Sequence, residues 1–592
     1  MIIFMRNQNG FSIMEIILAM LVVSVFASTA VSIILQSFIV SRQVRERLVA
    51  QQFMTEGLEG LQGVRNRSYS ALTPSASTGI VTTNGFWELS GTNTVLDKYT
   101  RTLNISSGQR NGSGNIVVSG GVVDSNTSLV SSVVNWKFTP SLSYNVNNSM
   151  YLTNWREPYI PKSGMLVYAS GTDRISYRIY SGSGTWATAG LTSDVSTTTT
   201  DQIPKVVELF ESRTRNEKIL ISKHIRSTTN YIYAQIFNGT TWTTTPQLIT
   251  SYTNTDTFYG TTKTFDGVYL ANGNFMLVYS NSANIPRFAI WNGTTWTTNI
   301  AMQTLPAIPY HTKISVRPGT NEVMALMYLA NKQTRTEYFN GGTFTVANWT
   351  LHTPIHSTMG AFNDNELVDF AWSTVDSTKG VMVLVGTTNL ILRANLWTAN
   401  GTGSGAWGTA TNSTAENGNI WSIRIASVLN TDRYIVCAEN SGSTNRCFFL
   451  NNSLTWVRPT NYALTTTGDA DDYRSFDISM NGISNIDGLT VFTRNTTIAG
   501  FKRVDSSTST IDLNATTIGT LGGVLSTVLI IPQKNNDDMM VLMGGVNNSL
   551  YTAVWNGTTR TFYTTPAGKA FQVQTTAGST TNTYWFSFVW DE

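Results

Sequence analysis

The chain has 592 residues with only 13% charged and a formal net charge of +3, against about 25% charged in ordinary soluble domains. No basic run follows its apolar N terminus, so nothing argues for a nucleic-acid partner, and two Cys and four His leave little material for thiol or metal chemistry. Asn, Thr, Ser and Gly fill the gap, a composition suited to β-strands joined by many tight turns on an exported protein.

From Phe11 to Val40 the single ionisable side chain is Glu15. About 20 apolar residues cross a bilayer, so this run is long enough. A charge inside such a segment costs roughly 2.5 kcal/mol or more, which makes Glu15 a functional candidate in need of a partner. The best partner is an α-amino group created at Phe11. The competing reading is a plain signal anchor with an accidental Glu.

Gly10-Phe11-Ser12-Ile13-Met14-Glu15 resembles the processing site of the type IV pilin family, in which a class III leader ends in Gly, is followed by Phe and carries Glu at the fifth mature position. The resemblance implies cleavage between Gly10 and Phe11 by a prepilin peptidase, N-methylation of Phe11 and retention of the apolar helix. It also implies that Glu15 pairs with the N-terminal ammonium of a neighbouring pilin subunit during assembly. The chain departs from the family in having Arg6 as the leader's one basic residue and Asn9 before Gly10. Arg42, Arg45 and Arg47 beyond the run oppose the positive-inside bias, so the motif rather than charge decides orientation.

Met54, Leu58 and Leu61 continue a helical period to about Arg67, with Arg45, Arg47, Glu56 and Glu59 as its polar face. Gly57, Gly60 and Gly63 weaken that helix by roughly 1 kcal/mol each, which packing on a head must offset. Short β-rich runs follow at 85–89, 99–105, 115–118 and 133–138. They fit the small antiparallel sheet of a pilin head.

Beyond Pro161 the sequence repeats. The marker is an Asn-Gly turn between aromatic residues: Phe237-Asn238-Gly239-Thr240-Thr241-Trp242, Trp291-Asn292-Gly293-Thr294-Thr295-Trp296, Phe339-Asn340-Gly341-Gly342-Thr343-Phe344 and Trp555-Asn556-Gly557. Asn-Gly is the strongest short hairpin signal because both residues accept positive φ. Degenerate copies lie near Ser181, Asn400, Asn451 and Asp505, so the turns recur every 48 to 60 residues. That period with four strands matches a β-propeller blade. Eight markers predict eight blades, with seven as the alternative. The first blade lacks an opening strand, and the segment 583–590 is left over to close the ring. The repeated Trp reads as blade core rather than a sugar platform.

Catalytic candidates are sparse. His352 and His356 have a metal-like spacing, but Pro354 between them breaks any helix. Asp469, Asp471 and Asp472 are a weak Ca²⁺ candidate without the Gly and terminal Glu of a known loop. Arg178, Arg287, Arg335 and Arg393 fall on strands before four of the turns. Cys437 and Cys447 lie equidistant from Gly442, opposite one another in a hairpin, and read equally as a disulfide or two buried thiols.

The expected architecture is therefore a leader (1–10), a transmembrane and assembly helix (11–67), a β-rich head (68–160) and a propeller (161–592): an α+β pilin module followed by an all-β domain. The expected function is a minor pilin-like subunit, anchored in the cytoplasmic membrane with its C-terminal domains outside and then displayed on a pilus, whose propeller recognises a surface ligand or glycan. The expectation is no enzyme and no cofactor. The alternatives are a secretion pseudopilin contacting exported substrate and a filament-tethered glycan hydrolase. A carboxylate pair or an Arg cluster at one mouth of the propeller axis would favour the hydrolase.

Overall fold

The computed structural model describes residues 12–591, apart from 154–162, 195–202, 255–261, 354–365, 465–473, 563–570, 575–583 and breaks of five residues or fewer elsewhere. The chain divides into two compact units, residues 1–158 and 159–592.

In the first unit a single helix, α1 (Ile13–Arg67), runs for 55 residues, about 80 Å at 1.5 Å per residue. Its first three-fifths are bare: Ile13, Met14, Leu18, Met20, Phe26, Ile33, Leu35 and Phe38 are all exposed. From Glu46 onward it is docked, with Ala50, Phe53, Met54, Leu58, Leu61 and Val64 buried against Leu103, Ile105, Val130, Val134 and Trp136 of the head. The head is a six-stranded antiparallel sheet in which Tyr99–Arg110, Val122–Thr139 and Leu142–Thr153 are the long strands, with Ile80–Thr83 and Phe86–Leu89 as a separate hairpin. The 12-residue strand Leu142–Thr153 has no clean alternation, having one buried residue in its first half, which is why the sequence pattern passed over it.

The three helix glycines turn out to be the docking surface. A Cβ at Gly57 would sit 2.8 Å from Arg101 Cδ, one at Gly60 2.7 Å from Ile80 Cδ1, and one at Gly63 2.7 Å from Trp87 Cδ1. Their absence lets the sheet's side chains reach the helix backbone, where Arg101 donates to the Phe53 carbonyl at 2.8 Å. Glu46, buried at the upper edge of this contact, is held by Lys98 at 2.5 Å, Arg42 at 2.8 Å and the Trp136 indole N–H at 3.1 Å.

The second unit is an eight-bladed β-propeller. Blade 1 consists of Phe586–Trp590, Ser163–Ala169, Ile175–Ser181 and Gly190–Leu191 from the axis outward. Its innermost strand thus comes from the C-terminal end, pairing Phe586 with Tyr168 and Trp590 with Gly164. The inner strands of blades 2 to 8 are Ile203–Glu211, Phe265–Tyr269, Pro309–Val316, Val368–Trp372, Ile420–Ser427, Phe476–Met480 and Leu525–Pro532, and each contacts the next to complete the ring. The segment Phe571–Gln574, unassigned from sequence, is an extra outer strand on Leu550–Asn556 of blade 8. Apolar faces of successive blades interdigitate; Leu326 and Tyr338 of blade 4 share a cluster with Phe370 and Trp397 of blade 5 and Phe448 of blade 6.

The marker turns join the third and fourth strands. Their conformation differs from the expected one, because in three of them the glycine alone takes positive φ (Gly239 91°, Gly293 98°, Gly341 78°), and in the fourth Arg560 does so rather than Gly557. The Asn instead builds a side-chain turn: Asn238 Oδ1 accepts from Thr240 and Thr241 N–H at 3.0 and 2.8 Å, and Asn292 Oδ1 from Thr294 and Thr295 N–H, both at 2.9 Å. Asp505 does the same for Ser507 and Thr508. The marker therefore signals a short side-chain acceptor that closes the turn, followed in three blades by a glycine at positive φ. The aromatic pairs it joins, Phe237–Trp242 and Trp291–Trp296 at 5.4 and 5.6 Å, seal the outer edge of each blade core.

Candidate functional site

At the start of α1, Ser12 and Glu15 form a capping box: the Ser12 hydroxyl accepts from Met14 N–H at 3.3 Å, and Glu15 Oε2 accepts from Ser12 N–H at 3.1 Å. The Ser-x-x-Glu spacing of Ser12 and Glu15 was the available signal for it, which the sequence reading did not use. Glu15 is thus exposed in the first turn of α1, where the dipole favours an anion. Gly10 and Phe11 lie outside the described residues, as do Asp469, Asp471, Asp472 and His356. His352 stands edge-on to Trp397 with ring centroids 4.8 Å apart. Cys437 and Cys447 are directly paired in register on neighbouring strands of blade 6, buried, and joined as a disulfide.

Sequence reasoning missed the main polar feature of the propeller, which lies on its axis. Lys263, Glu366, Arg474 and Tyr584 occupy equivalent positions just before or at the start of the inner strands of blades 3, 5, 7 and 1. The equivalence is fixed by hydrogen bonding, since their carbonyls accept from Thr312, Ile423, Val528 and Val207 N–H of the following blade. Three residues further on, Asp266, Asp369, Asp477 and Ser587 accept with their side chains from the N–H groups of Ile314, Ile425, Ile530 and Leu209, at 2.8 to 3.2 Å. Blades are therefore clasped in pairs, and the ring is four double blades.

Blades 1 and 5 face each other across an eight-bladed ring, as do 3 and 7. Tyr584 donates to Glu366 Oε1 at 2.5 Å across that axis, and Arg474 bonds the same oxygen at 3.0 Å. Lys263 and Arg474 both sit over the Tyr584 ring, 5.9 and 5.7 Å from its centre. Arg424 closes on Glu366, and Lys313 on Asp369. His311 Nε2 lies 3.2 Å from the Tyr584 hydroxyl, and burial with the nearby Lys263 and Lys313 charges depresses its pKa to about 3, so it is neutral. Lys263 is held charged above its ordinary range because Asp266 and Glu208 outweigh the burial that opposes it. Burial raises the Asp477 carboxyl to about 6 against the opposing pull of Arg474. Apart from Lys313, which is partly exposed, these groups are buried or nearly so, and they plug this mouth of the axis.

Around this mouth lies a second repeated feature. In each blade the strand register defines a radial line from the inner strand to the third. It runs Phe265–Tyr279–Arg287 in blade 3, Thr312–Met327–Arg335 in blade 4, Val368–Leu384–Arg393 in blade 5 and Ile423–Ala438–Arg446 in blade 6. Four consecutive blades thus carry Arg at one structural position. Blades 7, 8, 1 and 2 carry Gly500, Tyr551, Ser176 and Tyr233 there. Arg178 is two residues off this register, and Arg446, which is on it, was not among the four arginines singled out from the sequence. First and third strands run in the same direction, so the arginines and the axial plug open on one face, opposite the Asn-Gly turns.

No protein-family model matches the chain, and no curated protein does. Among solved structures it is similar to the BP39L lectin of Burkholderia pseudomallei (8% identity, 63% of this chain and all of that one, TM-score 0.43). It is also similar to the Aleuria aurantia lectin (11% identity, 51% and 94% of the two chains, TM-score 0.33) and to the periplasmic gluconolactonase of Pseudomonas aeruginosa (9% identity, 61% and 97%, TM-score 0.36). At such identity these likenesses carry no functional assignment.

Proposed function

We propose that this chain is a type IV pilin-like minor subunit, anchored by α1 in the cytoplasmic membrane and then incorporated into a filament, that displays its propeller for surface or ligand recognition without turnover. The observation that carries this reading is the division of one uninterrupted helix into a bare apolar part and a docked amphipathic part. An 18-residue window of mean hydropathy 2.5 with none of its surface buried can exchange lipid for neighbouring helices, while the docked half keeps the head attached. Prepilin peptidase and other pilin subunits are then its partners. The plugged axis supports the non-catalytic reading. Its guanidinium and carboxylate groups are the kind of cluster a hydrolase would need, but among the described residues they bond one another and Glu366, Asp369 and Asp477 are buried, whereas a general acid or base must reach the proton it moves.

The test is mass spectrometry of the N-terminal peptide from membranes and sheared filaments. The expected species begins at Phe11 with a methylated amine; a retained Met1, or a cut beyond the apolar run, would remove the pilin reading. Glu15→Gln separates the two roles of that residue. Gln preserves the capping box, so cleavage and helix content should be unchanged, while recovery in the filament fraction should fall at least tenfold because the charge is gone.

A further inference from the structure

We propose that Arg287, Arg335 and Arg393, continued in register by Arg446, form an arc that takes an acidic polysaccharide chain, one anionic group per blade. The inference deepens the recognition reading and rests on it. Arg287, Arg335 and Arg393 are each half-buried, and no carboxylate among the described residues pairs with any of them. The Nε–H of each is buried without an acceptor, and the one side-chain hydrogen bond made by the three is from Arg335 Nη2 to Gln333 Oε1 at 3.2 Å. An unmatched guanidinium is a poor choice for a blade that needs only packing: Tyr551 and Tyr233 fill the same position elsewhere with apolar surface. Other buried cations of this ring are given an acceptor: Lys263 is matched to Glu208 and Arg474 to Glu366, and Lys223 and Lys502 donate to the Thr262 and Ala463 carbonyls.

The guanidinium fork suits a planar carboxylate or a sulfate, each of which it can grip through two parallel hydrogen bonds. Blade geometry repeats the fork at a fixed interval along a curve, so the matching ligand is a polymer with regularly spaced anions rather than a single small molecule. A glycan fits better than a nucleic acid. The arc offers one cation per blade, whereas duplex DNA presents a charge every 1.7 Å and its binders answer with dense Lys and Arg.

Binding of the detergent-solubilised full chain to immobilised polygalacturonate, dextran sulfate, neutral dextran and duplex DNA tests this. The two acidic glycans separate carboxylate from sulfate recognition, and binding to either one, weakening as salt rises, is the expected result. The triple variant Arg287→Gln/Arg335→Gln/Arg393→Gln should lose at least tenfold in affinity with an unchanged melting temperature, while Arg178→Gln, off the arc, should bind as the parent does. If the triple Gln variant does not fold, the triple Lys variant decides, since it keeps charge and stem but loses the fork; a several-fold loss supports the arc and unchanged affinity overturns it. Binding to neutral dextran alone, undiminished by the triple variant, would overturn the arc while leaving glycan recognition standing. Preferential binding to DNA would overturn the glycan assignment. Binding to none of the four would overturn the arc, and adherence of cells bearing the filaments would then judge recognition separately.

Discussion

Glu337 shows how a single residue tunes the stability of the ring. It lies wholly buried on the third strand of blade 4, where its Oε2 accepts from Gln303 N–H at 3.2 Å and its Oε1 has no partner. Burial pushes its carboxyl up to about 8, against the pull of that one hydrogen bond. Because the folded state binds the proton more tightly than the unfolded chain, the group's contribution is fully present at low pH and is lost as pH rises from about 4.5 to 8. Glu337→Gln keeps an acceptor for Gln303 and removes the ionisation. It should therefore raise the melting temperature at pH 8 by a few degrees and leave it unchanged at pH 5; a gain of equal size at both would place the effect elsewhere. None of this was readable from the sequence, where Glu337 is one acid in an alternating strand, and its burial follows only once blade 3 packs against blade 4.

Between residues and ring stands the double blade. Asp369 accepts the Ile425 N–H at 3.0 Å and its neighbour Phe370 N–H at 2.7 Å, while Lys313 and Arg424 press on the same carboxylate. Removing one partner of a buried charge network leaves the others uncompensated, which costs about 3–5 kcal/mol. Asp369→Ala should therefore lower stability in urea by that amount, and Asp369→Asn by less because it restores one acceptor. A loss under 1 kcal/mol for the alanine would mean the clasp is ornamental. The blade count was legible because the Asn-Gly turns are local signals that survive substitution of their flanks. The double blade was not, because its four axial positions hold Lys, Glu, Arg and Tyr, chemically unlike residues 103, 108 and 110 apart. The apolar-Asp steps Phe265-Asp266, Val368-Asp369 and Phe476-Asp477 recur at those spacings and were the available clue.

The whole ring depends on strands from its two ends, as the surplus C-terminal segment suggested. Phe586–Trp590 supplies the inner strand of blade 1, and Tyr584 brings the fourth member of the axial plug. A chain ending at Gly578 should keep its β content by circular dichroism yet lose the single sharp melting transition and bind hydrophobic dye; a truncated chain that melts like the intact one would refute closure by this strand. The arginine arc was half legible, since the register that aligns it is a property of paired strands, not of distance from a turn. Closure by a late segment also orders events in time. The long helix and the head are made first, and three strands of blade 1 and all of blades 2 to 8 follow before the strand that locks blade 1 exists. A polypeptide interrupted anywhere earlier is left with an open seam, its apolar faces uncovered and its edge strands unpaired, which is the form that proteases and chaperones remove. The seam thus makes closure the last step of synthesis: only a chain synthesised through to Trp590 has a ring without an open edge.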